Sequence, residues 1–149
     1  MSSGFVHLHT HSSYSPMWGI PTLEALCQAA RTQGQDRLAL TDTNGLYGAI
    51  RFLEVAKHEG LKPILGAELV HKAHRAVLLA KTPAGYANLC RLLSARHEES
   101  TFDFIAAVAR YRAGLIILSD DLSALRTWRK DSPKDVYVEL TPGSDIQEA

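Results

Sequence analysis

From Leu23 to Leu69 amphipathic stretches alternate with short apolar runs, and that order sharply limits the folds open to the chain. Thr22 precedes a stretch that places Leu23, Leu26, Cys27 and Ala30 on one stripe before Gly34 stops it. Leu38–Thr41 is a short apolar strand closing on Asp42. A second helix is expected from about Leu46, with Leu46, Ile50, Leu53 and Ala56 in register and Gly60 as its stop. Lys62-Pro63 then leads into the strand Ile64–Leu69. With Phe5–His9, an alternating β-rich run, as the first strand, the order is strand-helix-strand-helix-strand. Such an order predicts an α/β fold with parallel pairing through crossovers.

The second half departs from this rhythm. Ala76–Ala80 reads as a strand, yet too few residues separate it from the preceding one for a crossover helix. Thr82-Pro83 starts a helix with Tyr86, Leu89, Cys90 and Leu93 on its apolar face. Thr101 is expected to cap a further helix through Phe104, Ile105 and Val108. Gly114–Leu118 and Val136–Leu140 complete six candidate strands, and the final GSDIQEA is polar. No linker interrupts the sequence, so a single domain over 1–149 is the expectation.

Composition excludes several classes of function. Sixteen basic residues balance sixteen acidic ones among 149, so no overall field draws the chain to nucleic acid or to a membrane. Arg126, Arg129 and Lys130, with Trp128 between them, form a basic cluster that reads as a solvated helix end. Cys27 and Cys90 fall on apolar helix positions, as small core residues of a reduced protein do. No run is apolar enough for a membrane span, and no leader peptide is visible at the start. A cytoplasmic protein is expected.

Residues 5–11, FVHLHTH, hold three histidines at alternate positions. On a strand, His7 and His9 project from one face, and paired neutral imidazoles suit zinc or manganese. Solvated polar residues at a strand end account for the same spacing. His11 is assigned to the following turn with Ser12 and Ser13. Asp42, Glu68, Asp121 and Glu139 lie on or just after the C-terminal halves of the strands, the edge where α/β sheets and barrels form binding sites.

These segments together carry a resemblance. FVHLHTHSSYS, LALTDTNGLYGAIRF, GLKPILGAEL, AVLLAKTPAGYANLCRLLS and GLIILSDDL, in this order, resemble a PHP (polymerase and histidinol phosphatase) domain, in the form found at the N-terminus of bacterial DNA polymerase III alpha subunits, replicative or error-prone. The resemblance runs from about Phe5 to Leu140 and implies an irregular barrel of (β/α)7 type, of which the chain is expected to hold an incomplete part. It also implies two or three zinc, manganese or iron ions that activate water and clamp a phosphate ester.

Carried over residue by residue, His7 and His9 match two histidine ligands and Glu68 matches a carboxylate that can bridge two metals. Asp42 and Asp121 are weaker candidates. Other positions have changed: Trp18 stands where an acidic residue precedes the glycine, and Thr43 where a histidine follows Asp42. Asp121 stands for a cysteine, Thr141-Pro142-Gly143 lacks a histidine, and the closing Asp-x-His has no counterpart. The family's histidine before its LLA segment falls on Arg75, which leaves His74 one position off, and His71 and His74 are not counted as ligands.

A multinuclear site needs about eight or nine ligands. Three to five remain, so no catalytic residue is assigned. The expectation is a degenerate PHP domain binding one divalent ion, zinc or manganese, or none. Its partners would be the remainder of the polymerase and, through it, DNA, and the fragment alone would self-associate. A stand-alone metal-dependent phosphoesterase or 3′–5′ exonuclease is the enzymatic alternative, and a metal-free interaction module is the other.

Overall fold

The computed structural model describes residues 4–98 and 100–140, which form two compact units divided after Glu68. Five helices and five strands are present among the described residues. Thr141, Pro142 and the polar end lie outside them. None of the described helices is long and apolar enough to cross a membrane.

In the first unit, α1 (Leu23–Thr32) begins as its sequence dictates, with the Thr22 hydroxyl accepting from the Ala25 amide. The strand β1 (Arg37–Leu40) runs parallel to β2 (Lys62–His71), with Arg37 opposite Lys62 and Leu40 opposite Leu65. Between them lies α2 (Ala49–His58), which starts three residues later than expected. Leu46–Gly48 instead form a turn, with the Ala49 amide donating to the Leu46 carbonyl. The buried stripe is therefore Ala49, Phe52, Val55 and Ala56, while Ile50 and Leu53 face outward. Seating Phe52 removes more apolar area than seating either of those side chains would. The core of this unit joins Leu23, Cys27 and Ala30 of α1 to Leu38, Leu40, Phe52 and Leu61. Burial pushes the Cys27 thiol up to about 11, in keeping with a small apolar core residue.

The segment Phe5–His9 is not a strand, which corrects the sequence expectation. It is tied to β1 irregularly: the His7 carbonyl accepts from Ala39 and the Thr10 carbonyl from Thr41. Three residues separate the acceptors and two separate the donors, so one extra residue interrupts the ladder as in a bulge. Side-chain alternation cannot be carried through such an interruption.

In the second unit, β3 (His74–Ala80) is antiparallel to β4 (Leu115–Ser119), and β4 is parallel to β5 (Val136–Val138). The long α3 (Pro83–Glu98) buries Leu89, Leu92 and Leu93. The helix α4 (Phe104–Tyr111) is capped by Asp103 rather than Thr101, its carboxylate accepting from the Ala106 amide. Trp128, on α5 (Leu122–Asp131), is fully buried and donates its indole N–H to the Ile105 carbonyl. The ring is thus part of the core, while Arg126, Arg129 and Lys130 around it are exposed.

Candidate metal centre

The first unit brings together His9, His11 and Glu68. The two histidines come from the irregular N-terminal segment, and Glu68 comes from β2. The Nε2 atoms of His9 and His11 lie 3.0 Å apart. His9 Nε2 is 3.4 Å from Glu68 Oε1, and His11 Nε2 is 3.6 Å from Glu68 Oε2. Glu68 is buried and both imidazoles are partly so. Burial pushes the Glu68 carboxyl up, but hydrogen bonds to His9 and Thr43 and the charges of His11 and His9 hold it below the ordinary carboxylate range. The backbone fixes the glutamate as well: the Glu68 amide donates to the Asp42 carbonyl, and its carbonyl accepts from Asn44.

The sequence expectation paired His7 with His9, whereas the geometry pairs His9 with His11. The His7 ring packs edge-on against Phe5, 4.9 Å between centroids, outside the His9–His11–Glu68 group. The extra residue in the pairing with β1 is the physical reason, because a strict period of two read from Phe5 sets the wrong register. A second H-x-H, His9-Thr10-His11, was present at identical spacing and was the available signal.

Asp42 is near this group without belonging to it. Its Oδ1 accepts from the Ser12 amide at 2.7 Å and the Ser15 hydroxyl at 2.6 Å, and its Oδ2 accepts from the Ser12 hydroxyl at 2.8 Å. The carboxylate thus pins a tight loop in which Ser13 donates to the Pro21 carbonyl and Trp18 and Gly19 donate to Ser15. Gly19 lies so close to Ser12 that a Cβ there would stand 1.9 Å from the Ser12 carbonyl oxygen. Trp18 itself is 74% exposed.

Asp121 is placed in the second unit, as the cap of α5. Its Oδ1 accepts from the Ser123 and Ala124 amides at 3.0 and 3.1 Å, and its Oδ2 is 2.5 Å from His74 Nδ1. His74 lies stacked on Phe104 at 5.4 Å. Burial raises the Asp121 carboxyl, and the bonds to His74, Ser123 and Ala124 more than reverse this, leaving it below its ordinary value. Arg75 lies 2.5 Å from Asp120 and 3.9 Å from Glu139, so this edge of the second unit carries its own cation.

The fold is similar to that of a crystal structure from Bifidobacterium adolescentis described as a putative metal-dependent phosphoesterase, which matches 90% of this chain and 76% of its own at a TM-score of 0.59 and 13% identity. The sequence profile of the PHP domain matches residues 7–139, and the chain belongs to that family. An error-prone DNA polymerase from Symbiobacterium thermophilum is 47% identical over 94 residues, covering 62% of this chain and 9% of the polymerase. The DNA polymerase III subunit alpha of Treponema pallidum is 35% identical over 140 residues, covering 80% of this chain and 12% of the subunit. The chain therefore spans about a tenth of the length of either relative.

Proposed function

We propose that the chain serves as the PHP module of a DNA polymerase III alpha-type polymerase, holding one divalent ion at His9, His11 and Glu68 and lacking phosphoesterase activity. The observation that carries this reading is the spacing of the three side chains. Around a tetrahedral zinc with bonds of about 2.0–2.2 Å, neighbouring donor atoms are separated by about 3.3–3.6 Å. The separations of 3.4 and 3.6 Å match that edge length, and the 3.0 Å pair is slightly shorter. When bound, such an ion supplies Lewis acidity and lowers the pKa of a coordinated water. The residues provide two imidazoles and one carboxylate to hold it.

The same residues argue against a multinuclear site. Thr43 donates its hydroxyl to Glu68 Oε2 at 2.9 Å, and threonine is a poor metal ligand. The Asp42 oxygens accept from Ser12 and Ser15, and those of Asp121 from the start of α5 and from His74. The sequence candidate His7 is not among the proposed ligands, because its ring packs on Phe5 outside the group of His9, His11 and Glu68. The module reading treats residues 1–149 as one functional piece, supported by a family match that runs through both compact units. Its partners in this reading are the polymerase segments present in the relatives and, through them, DNA. Self-association of the chain alone is proposed from the exposed Met17, Trp18, Ile20 and Tyr47. A purely monomeric light-scattering result would count against it.

The test is metal analysis of protein purified without chelator, followed by phosphomonoesterase and 3′–5′ exonuclease assays with manganese. One zinc or manganese ion per chain and no turnover are expected. Two or more ions, or manganese-dependent turnover lost in Glu68→Gln, would establish the enzymatic alternative.

A further inference from the structure

We infer that Ser15 and Thr43 are positioning residues that fix the proton of His11 on Nδ1, so that its Nε2 lone pair faces His9 and Glu68. Two hydroxyls neighbour His11 Nδ1: Ser15 Oγ at 3.1 Å and Thr43 Oγ1 at 3.4 Å. Each has one proton to give, and each gives it to a carboxylate. Ser15 donates to Asp42 Oδ1 at 2.6 Å, and Thr43 donates to Glu68 Oε2 at 2.9 Å. An ionised carboxylate only accepts, so neither proton is available for Nδ1. Ser15 Oγ also accepts from the Thr43 amide at 3.0 Å, which uses one lone pair and leaves the other toward the imidazole. Nδ1 is therefore the donor in this network, and in the neutral imidazole this leaves Nε2 as the acceptor nitrogen.

This assignment gives Asp42 a function despite its distance from the ion. Ser12 holds it from the amide and the hydroxyl, both buried, and Asp42 in turn orients the Ser15 hydroxyl away from His11. The relay Asp42–Ser15–His11 performs the outer work that a carboxylate or carbonyl usually performs for a ligating histidine. Thr43 adds a second acceptor for the same proton while anchoring Glu68, so one hydroxyl orients two ligands. With a neutral His11 protonated on Nδ1, the proton between the two Nε2 atoms belongs to His9, and a cation held there would require that proton to move to Nδ1 of His9 through solvent.

The tautomer stands independently of metal binding, whereas its use rests on the metal reading above. Both are separable by experiment on the whole chain. Imidazole proton–nitrogen correlation spectra of the metal-free protein are expected to show His11 protonated at Nδ1 alone. Thr43→Ser preserves this pattern. Ser15→Ala combined with Thr43→Val removes both acceptors, so His11 becomes a tautomer mixture and zinc affinity falls roughly 10–100-fold. If the double variant fails to fold, Thr43→Val alone supplies the readout, with partial loss of the Nδ1 preference.

A wild-type His11 protonated at Nε2, or a folded double variant with an unchanged tautomer, would overturn the inference. The expected tautomer in a protein that takes up no zinc would overturn the metal reading and leave the positioning roles standing.

Discussion

Two acidic corners of this protein show how differently strand-end carboxylates can be used. In the first unit Glu68 faces two imidazoles whose Nε2 atoms stand 3.0 Å apart, a separation that calls for a proton or a metal ion between them. In the second unit Asp120, Asp121 and Glu139 face Arg75, His74 and the first amides of α5. The residue types overlap, and the difference lies in who provides the positive charge. A guanidinium and a helix N-terminus neutralise one corner from within the chain, while the other converges on a point that a cation fits.

Metal affinity offers the largest effect with which to break that contrast. Glu68→Gln removes the anionic donor and is expected to lower zinc affinity by at least about 100-fold, beyond the usual loss from outer contacts. Isothermal titration would show it, and an unchanged affinity would erase the distinction. Asp121→Ala is expected to cost about 1–2 kcal/mol in urea unfolding, through the lost cap and the His74 pair, with zinc affinity unaltered. A drop in affinity there would show that the second corner also serves the ion.

The same carboxylate carries a pH signature. The folded pKa of Asp121 is depressed, so its contribution is complete above the unfolded value of about 3.9 and is lost as pH falls through the lower folded value. The stability gap between wild type and Asp121→Asn is expected to close on acidification across that window, and a gap that widens instead would contradict the assignment. Arg75→Met, at a pair about one-third exposed, should cost only about 1 kcal/mol. Smallest of all, Trp18→Asp is expected to shift the unfolding midpoint by less than about 0.5 kcal/mol, since the indole is 74% exposed.

Much of the architecture was legible because its signals are local. Thr22 caps α1 through one hydroxyl, and apolar runs at 38–41 and 114–118 coincide with β1 and β4 to within a residue or so. The misreadings arose where tertiary context decides. The face of α2 follows the seat of Phe52, a choice that periodicity alone left equal to Ile50 and Leu53. Glu68 was made a candidate by its motif, but the histidine register depended on one extra residue opposite β1, invisible without its partner strand. Asp121 is a ligand candidate by position, and the structure uses it as a cap, since the same carboxylate satisfies either demand.

Gly19 has a consequence for anyone mapping this protein by saturation mutagenesis. Every side chain placed there begins with an atom 1.9 Å from the Ser12 carbonyl, so the position will tolerate as few replacements as a metal ligand does. The intolerance originates in the backbone that supports Asp42, and no change in buffer metal would relieve it. Tolerance scores alone would therefore place a glycine among the ligands. Repeating the scan with and without zinc would separate the positions that shape the loop from the proposed ligands.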